Sequence, residues 1–192
     1  VLSTVEPEDG DHRETVIDLV NVPERVYPVG RLDLESEGLI LLTNDGELTN
    51  LLTHPRYGHQ KEYRVLLARR PDEEQLSAWR RGVVLEDGYK TGPAGVHILE
   101  SQGKGVWLRV VMGEGRKRQI REIGTLLGLP VVRIIRVRIG SLRLGSLKTR
   151  AWRYLSAEEI TELKNRDNAK PSPVRTGNRK GVIKKRKIQA LH

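Results

Sequence analysis

Apolar positions along this chain fall in short runs whose spacing alternates between two and three-to-four residues. Gly38 to Thr43 (GLILLT) is continuous, as expected of a strand buried on both faces. Asn44-Asp45-Gly46 marks a turn, and Asp45 is placed to cap a short helix through Leu52 that His54-Pro55 ends. Lys61 to Ala68 (KEYRVLLA) alternates and predicts a strand. Pro71-Asp72-Glu73-Glu74 opens a helix with acids at its positive end, and Gly82 closes it. From Val83 to Leu99, strand-like pieces are broken by Gly88, Gly92, Pro93 and Gly95. Val106 to Met112 (VWLRVVM) predicts a strand. Ile120, Ile123, Leu126 and Leu127 recur at helical spacing over Arg118 to Leu127, with Gly128 after them. Val131 to Ile139 (VVRIIRVRI) predicts a strand carrying Arg133, Arg136 and Arg138. Leu142 to Leu147 and Trp152 to Leu155 add edge pieces, and Ser156 with Glu159 forms a capping box for a last helix through Lys164. Arg13 to Val20 reads as a short helical turn or an ordered approach segment. Strands dominate and helices intervene irregularly, which predicts an α+β fold with a mainly antiparallel sheet.

Composition narrows the class. The 192 residues suit one domain, alone or with an appendage, and 37% apolar content implies that part of the chain is unpacked. The sequence has no Cys, which excludes a disulfide scaffold, a thiolate zinc site and a Cys nucleophile. No apolar run approaches the ~18 residues of a membrane span. The opening VLSTVEPEDGDH is acidic and unlike a signal peptide. A soluble cytoplasmic protein is the expectation.

The charge distribution says more than its total of +9. Residues 1–108 carry 12 basic and 19 acidic groups, whereas residues 109–153 carry 12 basic and only 2 acidic. Residues 165–192 carry 9 basic and 1 acidic, with Pro171, Pro173, Gly177 and Gly181 and few large apolar side chains. A folded domain over 1–164 and a basic, flexible tail over 165–192 are therefore expected. Two basic blocks point to a polyanion partner, most simply nucleic acid. Lys184-Lys185-Arg186-Lys187 suits sequence-independent phosphate contacts.

Most catalytic signatures are absent. Gly113-Glu114-Gly115 lacks the context of a dinucleotide loop, and the five His show no metal-ligand spacing. No Ser sits in a nucleophile elbow. The unusual segment is Val29-Gly30-Arg31-Leu32-Asp33-Leu34-Glu35-Ser36-Glu37-Gly38, which sets three acids and an Arg between glycines just before a buried strand. It reads as a solvated loop, or as a loop presenting Asp33 at a sheet edge as nucleophile or base. In the second case the carboxylate needs a cationic partner to stay ionised in a desolvated cleft.

GRLDLESEGLILLTNDGELTNLLTHP, then KEYRV, then EGRKRQIREI and VVRIIRVRIGSLRL, together resemble the bacterial ribosomal RNA pseudouridine synthases of the RsuA/RluB type. The resemblance covers roughly residues 1–155 in three ordered blocks. It implies the pseudouridine synthase catalytic core, a bent, mainly antiparallel mixed sheet flanked by helices. It implies isomerisation of a uridine in ribosomal RNA or a pre-ribosomal particle, without cofactor or metal. It places the catalytic Asp at Asp33, the base-stacking Tyr at Tyr63 and the Asp-pairing Arg at Arg121. Arg31 and Lys61 become candidate RNA contacts, and Arg116, Lys117 and Arg118 would line the phosphate path. The basic tail favours the large subunit by analogy, and a monomer is the simplest state. Family members often carry an N-terminal S4-type domain and a Lys-Pro opening strand. The sequence here contains neither, and Val1-Leu2-Ser3-Thr4 resembles the middle of that opening region.

Plainer readings stand beside these. Tyr63 also fits an ordinary strand tyrosine packed on the core, and Arg121 a surface ion pair with Glu122 or Glu114. A non-catalytic RNA-binding or ribosome-assembly module would need the basic blocks but not Asp33. Asp33 and Arg121 within hydrogen-bond reach at the floor of one basic cleft would favour the enzyme.

Overall fold

The computed structural model describes Ser3, residues 13–165 and residues 188–191. In chain order the strands and helices begin with β1 (Tyr27–Pro28), β2 (Ser36–Gly38), β3 (Ile40–Thr43), α1 (Gly46–Thr53) and β4 (Lys61–Leu67). They continue with α2 (Glu73–Arg81), β5 (Gly95–Gln102), β6 (Gly105–Met112), α3 (Gln119–Leu126) and β7 (Val131–Ile139). The last are β8 (Leu142–Arg143), β9 (Trp152–Tyr154), α4 (Ala157–Lys164) and β10 (Ile188–Leu191). Six strands form one mixed sheet in the order β2-β7-β4-β6-β5, with β8 beside β7. Every pairing in it is antiparallel except β2 with β7. The other four strands form a second sheet, β1-β3-β10-β9.

Local chemistry accounts for the helices. Asp45 caps α1 by accepting from Leu48 N–H, and His54-Pro55 ends it and begins a single 3₁₀ turn. Asp72 with Gln75, and Ser156 with Glu159, close reciprocal capping boxes on α2 and α4. The large sheet buries one face under α2 and α3. Val65, Leu67, Leu108, Val110 and Ile134 there meet Leu76, Trp79, Ile120 and Ile123. A second cluster joins Leu39 and Leu41 to Leu48 and Leu52 of α1 and Leu163 of α4.

The opposite face of the large sheet is charged. Glu62 on β4 accepts two hydrogen bonds from Arg109 on β6, at 3.0 and 2.9 Å, and one from Arg138 on β7 at 3.1 Å. Arg64 pairs with Glu100 and lies over the Trp107 ring, and Arg133 forks onto Glu37.

Two expectations change. GLILLT is not one strand: the chain passes from the large sheet in β2 to the smaller one in β3. Gly38 makes that crossing at φ +109°, and a Cβ there would lie 2.3 Å from Arg136 O, so only glycine fits. Arg13–Val20, read as a helical turn or an ordered approach segment, is a turn over residues 16–19 that follows an isolated bridge at Thr15. The tail is not wholly without partners, because β10 pairs its backbone with β3 and β9. The inner strand β3 would otherwise show an open edge on that side. Residues 166–187, including the Lys184–Lys187 cluster, lie outside the described residues.

Candidate active site

The Asp33 loop, β4, the end of β6 and the residues leading into α3 enclose a cleft of about 310 Å³, at the small end for ligand pockets. Its lining includes Arg31, Asp33, Lys61, Tyr63, Arg116, Lys117, Gln119 and Arg136. The sequence pattern explains much of this. Period two along β4 sends Lys61 and Tyr63 to the helix-covered face, and Glu62 to the charged face behind. Antiparallel register sets Tyr63 beside Val110 of β6 and Arg136 of β7. Asp33 lines the cleft from a turn closed by Ser36 N–H donating to Asp33 O at 2.8 Å. Among the described residues nothing hydrogen-bonds its carboxylate.

The phosphate-path candidates separate. Arg116 is held ready: its guanidinium stacks 4.0 Å from the Tyr89 ring centroid and pairs with Asp87 at 2.8 Å. Tyr89 O–H in turn donates to Glu114, which also accepts from Gly92 N–H. Lys117 lines the same cleft. Arg118, at φ +56°, turns away to a neighbouring hollow and faces Glu35 at 3.4 Å.

Arg121 is not where the resemblance implied. It lines that neighbouring hollow, not the cleft. Its Nη2 donates to Glu35 O at 2.9 Å and its Nη1 to Val131 O at 3.3 Å, and Nε lies 3.4 Å from the Glu35 carboxylate. Among the described residues no hydrogen bond or ion pair joins it to Asp33. The reason is local: α3 presents Arg121 to the crown of the loop, where Glu35 offers both a carbonyl and a carboxylate. In this state Arg121 grips the Asp33 loop from outside.

The cation inside the cleft wall is Arg136. It is 3% exposed, and burial lowers its pKa while the neighbouring Tyr63 partly opposes that effect. Nε donates to Leu39 O at 2.7 Å and Nη1 to Arg31 O at 3.1 Å, whereas Nη2 is buried without a hydrogen bond. By sequence Arg136 is one of three arginines on a basic strand. A sharper signal was its place two residues after Ile134, on the core face of β7, where an unpaired Arg is rare. Lys61 is also constrained: burial, with the charge of Arg136, pushes its ammonium down to about 8.

A carboxylate, a tyrosine and several basic side chains thus line one cleft. Residues 4–123 match the RNA pseudouridylate synthase family, and the chain belongs to it. It is 40% identical over 154 residues to an RNA pseudouridine synthase of Aquifex aeolicus (strain VF5), covering 80% of this chain and 61% of that one. It is 41% identical over 154 residues to ribosomal large subunit pseudouridine synthase E of Xanthomonas campestris pv. campestris, covering 72% and 82%. It is 37% identical over 167 residues to ribosomal large subunit pseudouridine synthase B of Bacillus subtilis (strain 168), covering 85% and 67%. A solved pseudouridylate synthase superposes with a TM-score of 0.72 at 31% identity, covering 78% of this chain and 65% of that one. The chain thus spans just under two thirds of the Aquifex relative and of the solved structure.

Proposed function

We propose that this chain isomerises uridine to pseudouridine in large-subunit ribosomal RNA. The observation that carries the reading is the Asp33 carboxylate lining one cleft with the Tyr63 ring and five basic side chains, Arg31, Lys61, Arg116, Lys117 and Arg136. The names of the Xanthomonas and Bacillus relatives support the large subunit as the source of the RNA.

The reaction breaks the C1′–N1 bond, turns the base over and joins C1′ to C5. A proton leaves C5 and one is gained at N1, so no oxidant or reductant is consumed. The target base must first leave its stack. Tyr63 then offers an aromatic face with a polar end. Lys61, Arg116 and Lys117 meet phosphate, and the Arg116 side chain is ordered in advance by Tyr89 and Asp87. Asp33 acts on the ribose.

Asp33→Asn tests the assignment. It is expected to lower pseudouridine formation in an unmodified large-subunit ribosomal RNA transcript by at least about a thousandfold. RNA affinity should stay within about twofold, because Asn keeps the shape and removes a negative charge. Carbodiimide-blocked primer extension reads the product. Full activity in this variant would sink the role of Asp33 and favour a cleft that only binds RNA.

A further inference from the structure

We infer that Arg136 is a positioning residue for this reaction: a buried guanidinium that bolts both ends of the Asp33 loop to the strand beside Tyr63. The inference rests on the function proposed above.

The geometry is reciprocal at one end of the loop. Leu39 N–H donates to Arg136 O at 2.8 Å, and Arg136 Nε returns a hydrogen bond to Leu39 O at 2.7 Å. At the other end Nη1 donates to Arg31 O at 3.1 Å, two residues before Asp33. One side chain therefore spans the segment from residue 31 to residue 39. The parallel pairing of Gly38 with Arg136 brings the two backbones so close that no Cβ fits at Gly38. On its other side β7 pairs Arg136 with Tyr63.

This matters because the Asp33 carboxylate makes no hydrogen bond of its own among the described residues. Its position is inherited from its backbone. The loop has other clips: Ser3 Oγ on Leu32 N–H and O, Arg121 on Glu35 O, the Arg133 fork on Glu37, and the pairing of Ser36–Gly38 with Ile134–Arg136. Each of these holds one stretch of the loop, whereas among the described residues Arg136 is the side chain that hydrogen-bonds both of its ends. A charged donor bonded to carbonyls is stronger than a neutral one, which suits a fixed spacing. The arrangement also explains why so buried an Arg is tolerated without a carboxylate partner: its task is to hold main chain.

The test uses the full chain with Arg136→Lys and Arg136→Met. Single-turnover pseudouridine formation is measured on an unmodified large-subunit ribosomal RNA transcript, alongside RNA affinity and amide hydrogen exchange. Arg136→Met is expected to slow the single-turnover rate about a hundredfold, as a displacement near 1 Å does. Arg136→Lys, which can reach one carbonyl, should recover about tenfold of that loss. RNA affinity should stay within about twofold in both, and exchange should quicken at residues 31–39 but not in β4 or β6. An unchanged rate in both variants, or affinity falling as far as rate, overturns the inference. Should Arg136→Met fail to fold, Arg136→Lys alone decides by the same readings. A parent chain that forms no pseudouridine overturns the proposed function, while exchange at residues 31–39 still reports whether Arg136 holds the loop.

Discussion

At the scale of single residues, two basic side chains in the cleft wall do different things because their surroundings differ. Arg136 donates to two main-chain carbonyls through Nε and Nη1. Lys61, pushed down to about 8 by burial and by Arg136, titrates near physiological pH. Its folded-state value lies below the ordinary 10.5, so folding is penalised while the ammonium is charged, and the penalty lifts as pH rises from about 8 to 10.5. Lys61→Met should therefore be more stable than the parent at pH 7, with the difference shrinking toward pH 10, as thermal melts will read. RNA affinity should fall between pH 7 and pH 9 in the parent through loss of the Lys61 charge. A parent and variant with parallel pH profiles would contradict this account.

At the scale of elements, the charged back of the large sheet ties three strands together. Burial by itself raises the Glu62 pKa, but hydrogen bonds from Arg109 and Arg138 outweigh it and hold the carboxyl below its ordinary value. The resulting stability is present above the ordinary carboxyl range and is lost as pH falls through the lowered folded value. Glu62→Gln should cost about 3 kcal/mol, because it strands the largely buried Arg138 without a carboxylate. It should also flatten the acid limb of a stability–pH curve, which urea melts from pH 3 to pH 7 will check. Period two predicted that Glu62 and Tyr63 face opposite ways. It did not predict that the sheet back is closed by ion pairs, since Arg109 and Arg138 are 47 and 76 residues away in sequence.

At the scale of the whole molecule, the +10 block over residues 109–153 is less available to RNA than its count implied. Arg109 and Arg138 meet Glu62, Arg133 meets Glu37, Arg150 meets Glu14 and Arg153 meets Glu159, while Arg136 is buried. Of that block, Lys117 in the cleft and the exposed Arg143 and Lys148 carry no ion pair among the described residues. Sequence-independent grip is then expected to come largely from the Lys184–Lys187 cluster. Replacing Lys184, Lys185, Arg186 and Lys187 by Gln should reduce the slope of log affinity against log salt by about 3 for single-stranded RNA. Single-turnover rates at saturating RNA should be unchanged. A salt titration that gives the same slope for both proteins would remove the tail from the binding account.

Much of this protein was written in local pattern. Asp45, Asp72 and Ser156 announced their helices, because a cap needs only the next three residues. The alternation in KEYRV placed Tyr63 and Lys61 on one face, and the β7 strand ended where its apolar pattern ended. The resemblance put Asp33 and Tyr63 forward, and both line the cleft. What the chain alone did not decide was which charge meets which. Arg121 went to Glu35 and Arg136 to the ends of the Asp33 loop, choices made by a parallel pairing across 98 residues, from Gly38 to Arg136. Nor did local pattern show that one apolar run would serve two sheets, because the break at Gly38 exists only where a second backbone crosses it. Caps and periodicity are short-range and survive in sequence; ion-pair partners and close backbone approach are long-range and are settled by packing.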